Sequence, residues 1–290
     1  MGKFAAEEEL TNLMDLLDEQ DEPVYNKISE SIQAYGITAI PFLEATRENA
    51  LDSNVQSRIK KLIHKINIQN LYFELHNWAT IDSKDLLKGY FLISKYLFPD
   101  LNEDSVMAKV ESLKREVWLE LKKDMTPFEK AKVISKVFFE LKKFSFNTNS
   151  AALPDSLCLN ALLNSRKGSP LAFSVLYAGI AQRLELPIYG VNMVDSEFLA
   201  YVHSENSQTS DFKKDVQFYL NPFAEGVFFS NLQITEYVGK DYPKEIEKYI
   251  GACKNPILIS QIISQMLLSY IYSDKQEKVE ELLILMQALM

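Results

Sequence analysis

The 290-residue sequence predicts a helix-rich α+β protein with a small antiparallel sheet, and three patterns indicate this fold class. Apolar side chains recur at helical spacing in two copies of a motif near the N-terminus. Four short runs rich in Val, Tyr and Phe follow between residues 187 and 232, where apolar and polar positions alternate as they do in strands. The last forty or so residues return to helical spacing, which predicts a helical hairpin joined at Ser273 and Asp274.

The N-terminal region, residues 1–82, contains a repeat with a period of 31 residues. Aligning residues 21–32 with residues 52–63 superposes one Asp, one Val and two Ile, so each copy carries an apolar stripe along a helix. Between the copies, Gly36 is typical of a helix end and Pro41 of a helix start. The pattern predicts two helical hairpins similar to HEAT-type repeats, whose concave surfaces bind partners. A plain helical layer packed on the rest of the protein is the alternative.

Residues 83–144 continue the helical spacing, and their clearest helix start lies at Thr126. Thr126 is suited to the N-cap, Pro127 to the first helical position and Glu129 to the third. A Thr side chain and a Glu three residues later satisfy each other's backbone amides, so the sequence predicts a capping box here.

The composition changes at the polar loop after residue 144. Helices are predicted over 157–165 and 169–184, and the four strand-like runs "PIYGVNM", "EFLAYVHS", "DVQFYLNPF" and "GVFFSNL" come next. We therefore predict a core with its leading helices over residues 83–245 and a C-terminal helical hairpin over residues 246–290.

One stretch, residues 255–273, has no charged side chain and nearly the length of a membrane span. Its polar residues recur at helical spacing and form a stripe opposite the aliphatic residues, so the pattern predicts an amphipathic packing helix rather than a span. The polar stripe consists of Ser260, Gln261, Ser264, Gln265 and Ser269.

Composition and charge exclude several classes of function. Hydrophobic residues make up 47% and charged residues 24% of the chain, as in a folded globular protein. The net charge of −9 and the absence of a long basic run argue against nucleic acid as a partner. Cys158 and Cys253 lie far apart in sequence, which fits a reducing compartment, and the N-terminus lacks a secretion signal. We expect a cytoplasmic protein with no membrane partner.

Neither a metal nor a nucleotide cofactor is predicted. His64 and His76 have no second His or carboxylate at the spacing of a metal pair on a helix. No glycine-rich motif that could cradle a phosphate occurs in the chain.

The segment "LNALLNSRKGSPLAFSVLYAGIAQRLELPIYGVNM" and the turn "NPFAEG" carry a specific resemblance. Together with "GYFLISKYLFPDLN", they are similar in content and order to motifs of the bacterial transglutaminase-like/tetratricopeptide family. The similarity covers residues from about 85 to 230, half of the chain. It implies a papain-type core, and the C-terminal hairpin resembles one tetratricopeptide unit.

The resemblance also implies where a catalytic triad would lie. An active core of this type has a Cys at the start of the central helix, a His on the following strand and an Asp on the next. Here the corresponding positions are Pro170, Glu197 and Asn221, so all three catalytic side chains are missing. The triple loss predicts a pseudoenzyme that binds a protein or peptide partner. Arg166 and Glu197 are the candidate binding residues, since a charged Arg166 at the mouth of the cleft could hold an acidic peptide group or pair with Glu197.

Three alternatives to a binding module stay open from the sequence. A cysteine-type hydrolase or acyltransferase could use Cys158 with His203, provided that the fold brings the two side chains within hydrogen-bonding reach. A Ser–Glu–Asn site would instead use Ser169 or Ser174 with Glu197. A purely structural subunit would require an obligate oligomer, and the sequence does not fix the oligomeric state.

The segment "RKGSPLAFSVLY", which begins at Arg166, also has a purely architectural explanation. Gly168 permits a tight turn, Ser169 can cap the helix that follows and Pro170 fits the first helical turn. The apolar residues after Pro170 would then bury that helix against the strands.

Overall fold

The computed structural model describes residues 2–146, 153–192, 198–203, 215–222, 227–239 and 250–290. The chain forms two compact units, Met1–Glu74 and Leu75–Met290. The second unit combines helices with a four-stranded antiparallel sheet, so the predicted helix-rich α+β fold class is confirmed.

The N-terminal unit is helical. Its elements are α1 (Gly2–Met14), α2 (Glu22–Ala34), a 3-10 turn (Gly36–Ala39), α3 (Ile40–Asn49) and the first part of α4 (Ser53–Ile81). The Ile side chains that define the predicted repeat are buried in one cluster on α2 and α4. Asp21 caps α2, and Gly36 adopts a left-handed φ of 58° where α2 gives way to the 3-10 turn. The predicted helix end at this glycine is therefore present.

The second unit begins with the last turns of α4 and contains every strand. Its helices are α5 (Leu86–Ser94), α6 (Glu103–Glu120), α7 (Pro127–Ser135), α8 (Leu159–Ser165), α9 (Pro170–Arg183), α10 (Asn231–Gly239), α11 (Asn255–Tyr272) and α12 (Gln276–Gln287). Its strands are β1 (Ser145–Phe146), β2 (Lys167–Gly168), β3 (Ile188–Gly190), β4 (Leu199–Val202), β5 (Val216–Asn221) and β6 (Val227–Phe229). A 3-10 turn, Pro154–Leu157, precedes α8.

Helix α9 is the centre of this unit, and its residues from Leu171 to Ala181 are buried without interruption. It packs against α5, α11 and the strand that follows it, β3. A helix that is apolar all round belongs in an interior, which is why the uncharged stretch after Pro170 forms one. The start of α9 is thereby held in a fixed position against the rest of the unit.

The four longer strands form an antiparallel meander in the order β3-β4-β5-β6. On one face, Tyr201 and Phe218 stack with ring centroids 5.0 Å apart, and Phe128 from α7 covers the neighbouring Phe228. The other face packs around Ile234 of α10. Both faces of this small sheet are therefore covered by apolar side chains.

The predicted capping box is present at the start of α7. The Glu129 amide donates to the Thr126 hydroxyl, and the Glu129 carboxylate accepts from the Thr126 amide at 2.8 Å. After Ser135 the helix widens into a π-helical segment, Lys136–Leu141. The wider turn takes Leu141 off the buried stripe that regular helical spacing predicts for it, and its side chain is half exposed.

Helices α11 and α12 form the predicted C-terminal hairpin. Helix α11 buries its aliphatic stripe against α5, α9 and α12, so this hairpin lies within the second compact unit. Within the described residues, no helix combines the length and the hydropathy that a membrane span requires.

Candidate active site

The start of α9 is the position where a transglutaminase-like core would carry its nucleophile. Helix α8 ends at Arg166, whose φ of 57° turns the chain so that β2 pairs in parallel with β1. A β-carbon on Gly168 would lie 3.2 Å from the Ser156 carbonyl oxygen. A larger residue would have to displace backbone at this point, so the predicted need for glycine has a structural reason.

Ser169 is the N-cap of α9, as predicted. Its hydroxyl oxygen accepts a hydrogen bond from the Ala172 amide at 3.2 Å, and its own amide donates to the Ser156 carbonyl. The side chain is almost completely buried. Pro170 follows at the first helical position, which needs no amide donor. The helix start therefore presents a capping hydroxyl and a proline ring, and neither is an activated nucleophile.

The sheet register places one of the two strand residues that the resemblance predicts at triad positions. Leu199 on β4 pairs with Leu220 on β5, so Phe198 lies opposite Asn221. Asn221 ends β5 and pairs with Val227 on β6. The predicted site residue Glu197 lies outside the described residues. An amide at Asn221 carries no charge with which to stabilise a protonated base, whatever side chain lies beside it.

His203 lies at the far end of the sheet. It directly follows β4, where its ring Nδ1 is 2.8 Å from the Gln217 amide nitrogen and its Nε2 is 3.8 Å from an Asp215 oxygen. The imidazole is about half exposed, at 53%. Five residues of extended chain separate it from Phe198, or about 16 Å at the rise of a strand. His203 therefore does not occupy the position of the family's histidine.

Cys158 lies at the opposite end of the core from His203. The Ser156 carbonyl, two residues before Cys158, accepts a hydrogen bond from Ser169 at the start of α9. The amide before His203, that of Val202, instead donates to Pro187, which lies beyond the end of α9. Fourteen helical residues, about 21 Å, separate the two ends of α9. The structure therefore does not bring the Cys158 and His203 side chains together.

The environment of Cys158 disfavours its thiolate. The side chain is fully buried as the N-cap residue of α8, and its sulfur lies 3.7 Å from the Pro154 carbonyl oxygen. Burial first, and the negative charge of Asp155 second, raise the pKa of the Cys158 thiol far above its ordinary value. A hydrogen bond with Ser94 acts in the opposite direction and is outweighed. The thiol is therefore neutral at physiological pH.

Arg166 stands at the surface beside the start of α9. Its guanidinium donates one hydrogen bond to the Lys142 carbonyl oxygen at 3.2 Å, and the side chain is exposed. Its carbonyl accepts from the Ser145 amide and so helps to hold β1 beside β2. The predicted pairing of Arg166 with Glu197 falls outside the described residues.

The core contains a polar cluster whose residues were not among the predicted site residues. Asn255, at the start of α11, exchanges hydrogen bonds of 2.9 and 3.1 Å with Gln182 of α9. Its amide nitrogen also donates to the Ser83 and Lys84 carbonyls before α5. Its partners lie 73 or more positions away, so no local sequence pattern could have identified the cluster. Within the described ranges, no group of three or more His, Cys, Asp or Glu side chains could hold a metal ion.

Comparison with known proteins assigns the family. No curated protein and no solved structure matches the chain. A family model described as the transglutaminase-like superfamily matches residues 104–267, which is more than half of the chain and includes α9, the whole sheet and most of α11. The chain therefore belongs to the transglutaminase-like superfamily.

Proposed function

We propose that this protein is a catalytically inactive member of its superfamily that binds a protein or peptide partner in the cytoplasm. The observation that carries the proposal is the start of α9, where a nucleophile would be needed. Pro170 occupies the first helical position there, and the Ser169 hydroxyl is buried and engaged in capping the helix. A buried hydroxyl that already accepts an amide hydrogen bond is a poor nucleophile.

The contacts of Cys158 and His203 argue against their acting as a substitute catalytic pair. A cysteine nucleophile needs an accessible sulfur with a lowered pKa, whereas Cys158 is buried and the pKa of its thiol is raised. His203 is held by Gln217 at the opposite end of α9. These contacts favour the binding module over the cysteine-type hydrolase or acyltransferase.

The binding role rests on what the fold leaves exposed. Arg166 projects at the start of α9, and its guanidinium makes one hydrogen bond to the described residues, so it has further donors for a carboxylate of a partner. Resemblance of the N-terminal unit to HEAT-type repeats, and of α11 and α12 to a tetratricopeptide unit, supports the same role, because such repeats bind proteins. We propose that Glu197 acts together with Arg166 in binding the partner.

An activity assay tests the catalytic half of this proposal. We expect the purified protein to hydrolyse p-nitrophenyl acetate, and to exchange glutamine amides with a fluorescent amine, no faster than the Cys158→Ala and His203→Ala variants do. Equal background rates are expected because neither side chain has a catalytic environment. Turnover by the wild-type protein that either substitution abolishes would show an enzyme and contradict the proposal.

A further inference from the structure

Helix α6 carries two bulky apolar side chains on its outer face. The opposite face is buried through a valine-rich stripe that includes Val110 and Val117. Trp118 is 62% exposed and Leu119 is 67% exposed. Arg115 precedes them by three and four positions, so all three side chains share the outer face of the helix. Trp and Arg are the residue types most enriched at the centres of protein interfaces.

The acidic residues that border this face are already paired. Glu116 forms an ion pair of 2.5 Å with Lys142, and Glu120 forms one of 3.2 Å with Lys136. Both lysines come from the π-helical segment and the residue after it, which lie beside the end of α6. These contacts neutralise the two carboxylates nearest to Trp118 and Leu119.

The basic residues around Trp118 are not paired in this way. Arg115, Lys122 and Lys123 are exposed, and they form no ion pair within the part of the chain that the structure describes. Asp124 is the one acidic side chain among residues 121–124. The outer end of α6 therefore carries a local excess of positive charge on a protein whose net charge is −9.

We propose that Arg115, Trp118, Leu119, Lys122 and Lys123, together the α6 patch, form the docking surface for an acidic segment of a partner protein. A bulky apolar side chain of that segment packs on Trp118 and Leu119 and removes them from water. Its carboxylates pair with Arg115 and Lys122, which form no ion pair with the acidic residues that the structure describes. The inference rests on the proposed binding role and adds the chemistry of the partner.

The test selects peptides from a random peptide display library on the intact wild-type protein. We expect the enriched peptides to combine Asp or Glu with a bulky apolar residue. Trp118→Ala and Arg115→Glu should each weaken their binding by about 10-fold or more, as loss of a hot-spot side chain does. Binding should also shift the emission of Trp118 to shorter wavelength, whereas the buried Trp78 reports no change.

Two matched variants control for general effects of aromatic loss and charge reversal. Tyr272→Ala removes an aromatic side chain that is 87% exposed on α11, and Lys60→Glu reverses an exposed charge on α4. Neither should change peptide affinity by more than about 2-fold. Equal weakening by the control and the patch variants would overturn the inference.

The possible failures have different consequences. The selected peptides could bind the α6 patch variants as tightly as the wild-type protein and yet fail to bind Arg166→Ala. That result would overturn the inference and leave the proposed binding role intact. A library that yields no binding peptide would contradict the proposed function itself. Trp118-dependent binding to phosphatidylserine vesicles, without acidic peptides, would identify the patch as a membrane contact and overturn the inference.

Discussion

Asn255→Ala is expected to lower the free energy of unfolding of the second unit by about 3 kcal/mol. The substitution removes the hydrogen bonds of Asn255 to the Ser83 and Lys84 carbonyls and to both polar atoms of Gln182, whose Nε2 keeps its bond to the Ile188 carbonyl. Each buried polar group that loses its hydrogen bond costs about 1–3 kcal/mol, and Asn255 itself is only 6% exposed. Because the four bonds form one network, the total is smaller than the sum of the separate losses.

Urea unfolding followed by the fluorescence of Trp78 measures this effect, since Trp78 is buried in the same unit. Ser264→Ala is the matched control. It lies on the same helix, and within the described residues its hydroxyl bonds only to the Ser260 carbonyl one turn earlier. The control should cost less than about 1 kcal/mol. An equally small loss for Asn255→Ala would mean that water replaces the network and that the cluster does not hold α5, α9 and α11 together.

Gly89→Ala is expected to destabilise the second unit by about 2 kcal/mol. A β-carbon at this position would lie 2.3 Å from a ring carbon of Trp78, well inside van der Waals contact. Trp78 has little room to move, because it is buried and its indole nitrogen donates to the Asp85 carbonyl. Overpacking of this kind typically costs about 1–3 kcal/mol.

The sign of the Gly89→Ala effect is informative. In a helix interior without this contact, Ala would stabilise the protein by up to about 1 kcal/mol relative to Gly. A double-mutant cycle with Trp78→Phe isolates the contact, because the smaller ring makes room for the added methyl group. The cost of Gly89→Ala should shrink in the Trp78→Phe background. A stabilising Gly89→Ala would contradict the close packing of α4 on α5.

Local chemistry made much of the fold predictable from the sequence. The capping box at Thr126 and Glu129 and the cap at Ser169 involve partners within three residues, so sequence spacing alone identifies them. The four strands are short and lie in runs rich in Val, Tyr and Phe, and each predicted run contains an observed strand.

Features that depend on distant partners were not predictable. The π-helical segment after Ser135 looks in sequence like a continuation of α7, and β1 lies within the segment predicted as a polar loop. Strand β1 exists only because it pairs with β2, 22 positions later. Likewise, nothing in the sequence around Trp118 shows that the side chain stays on the surface. Contacts between residues distant in sequence determine these features, and local propensity does not predict them.

The position of the candidate site stays a prediction from the resemblance, and its geometry was not predictable from the sequence. Its location at Pro170 follows from the resemblance to the family, and the structure places Ser169 and Pro170 at the start of the central helix. The sequence could not show that Cys158 is buried, nor that α9 separates it from His203. Both facts depend on how α8, α9 and the sheet pack together.

The alkylation rate of Cys158 tests the central claim, that the core lacks a catalytic nucleophile, most directly. A Cys253→Ala variant leaves Cys158 as the single thiol, and its reaction with iodoacetamide is followed by mass spectrometry from pH 5 to 9 with glutathione as the reference. Because burial keeps the thiol protonated in the folded state, we expect alkylation of Cys158 to be at least about 100-fold slower than that of glutathione. Its rate should rise only above the ordinary thiol pKa of about 8.5, through transient opening. Rapid alkylation near pH 6 would show a stabilised thiolate and contradict the account.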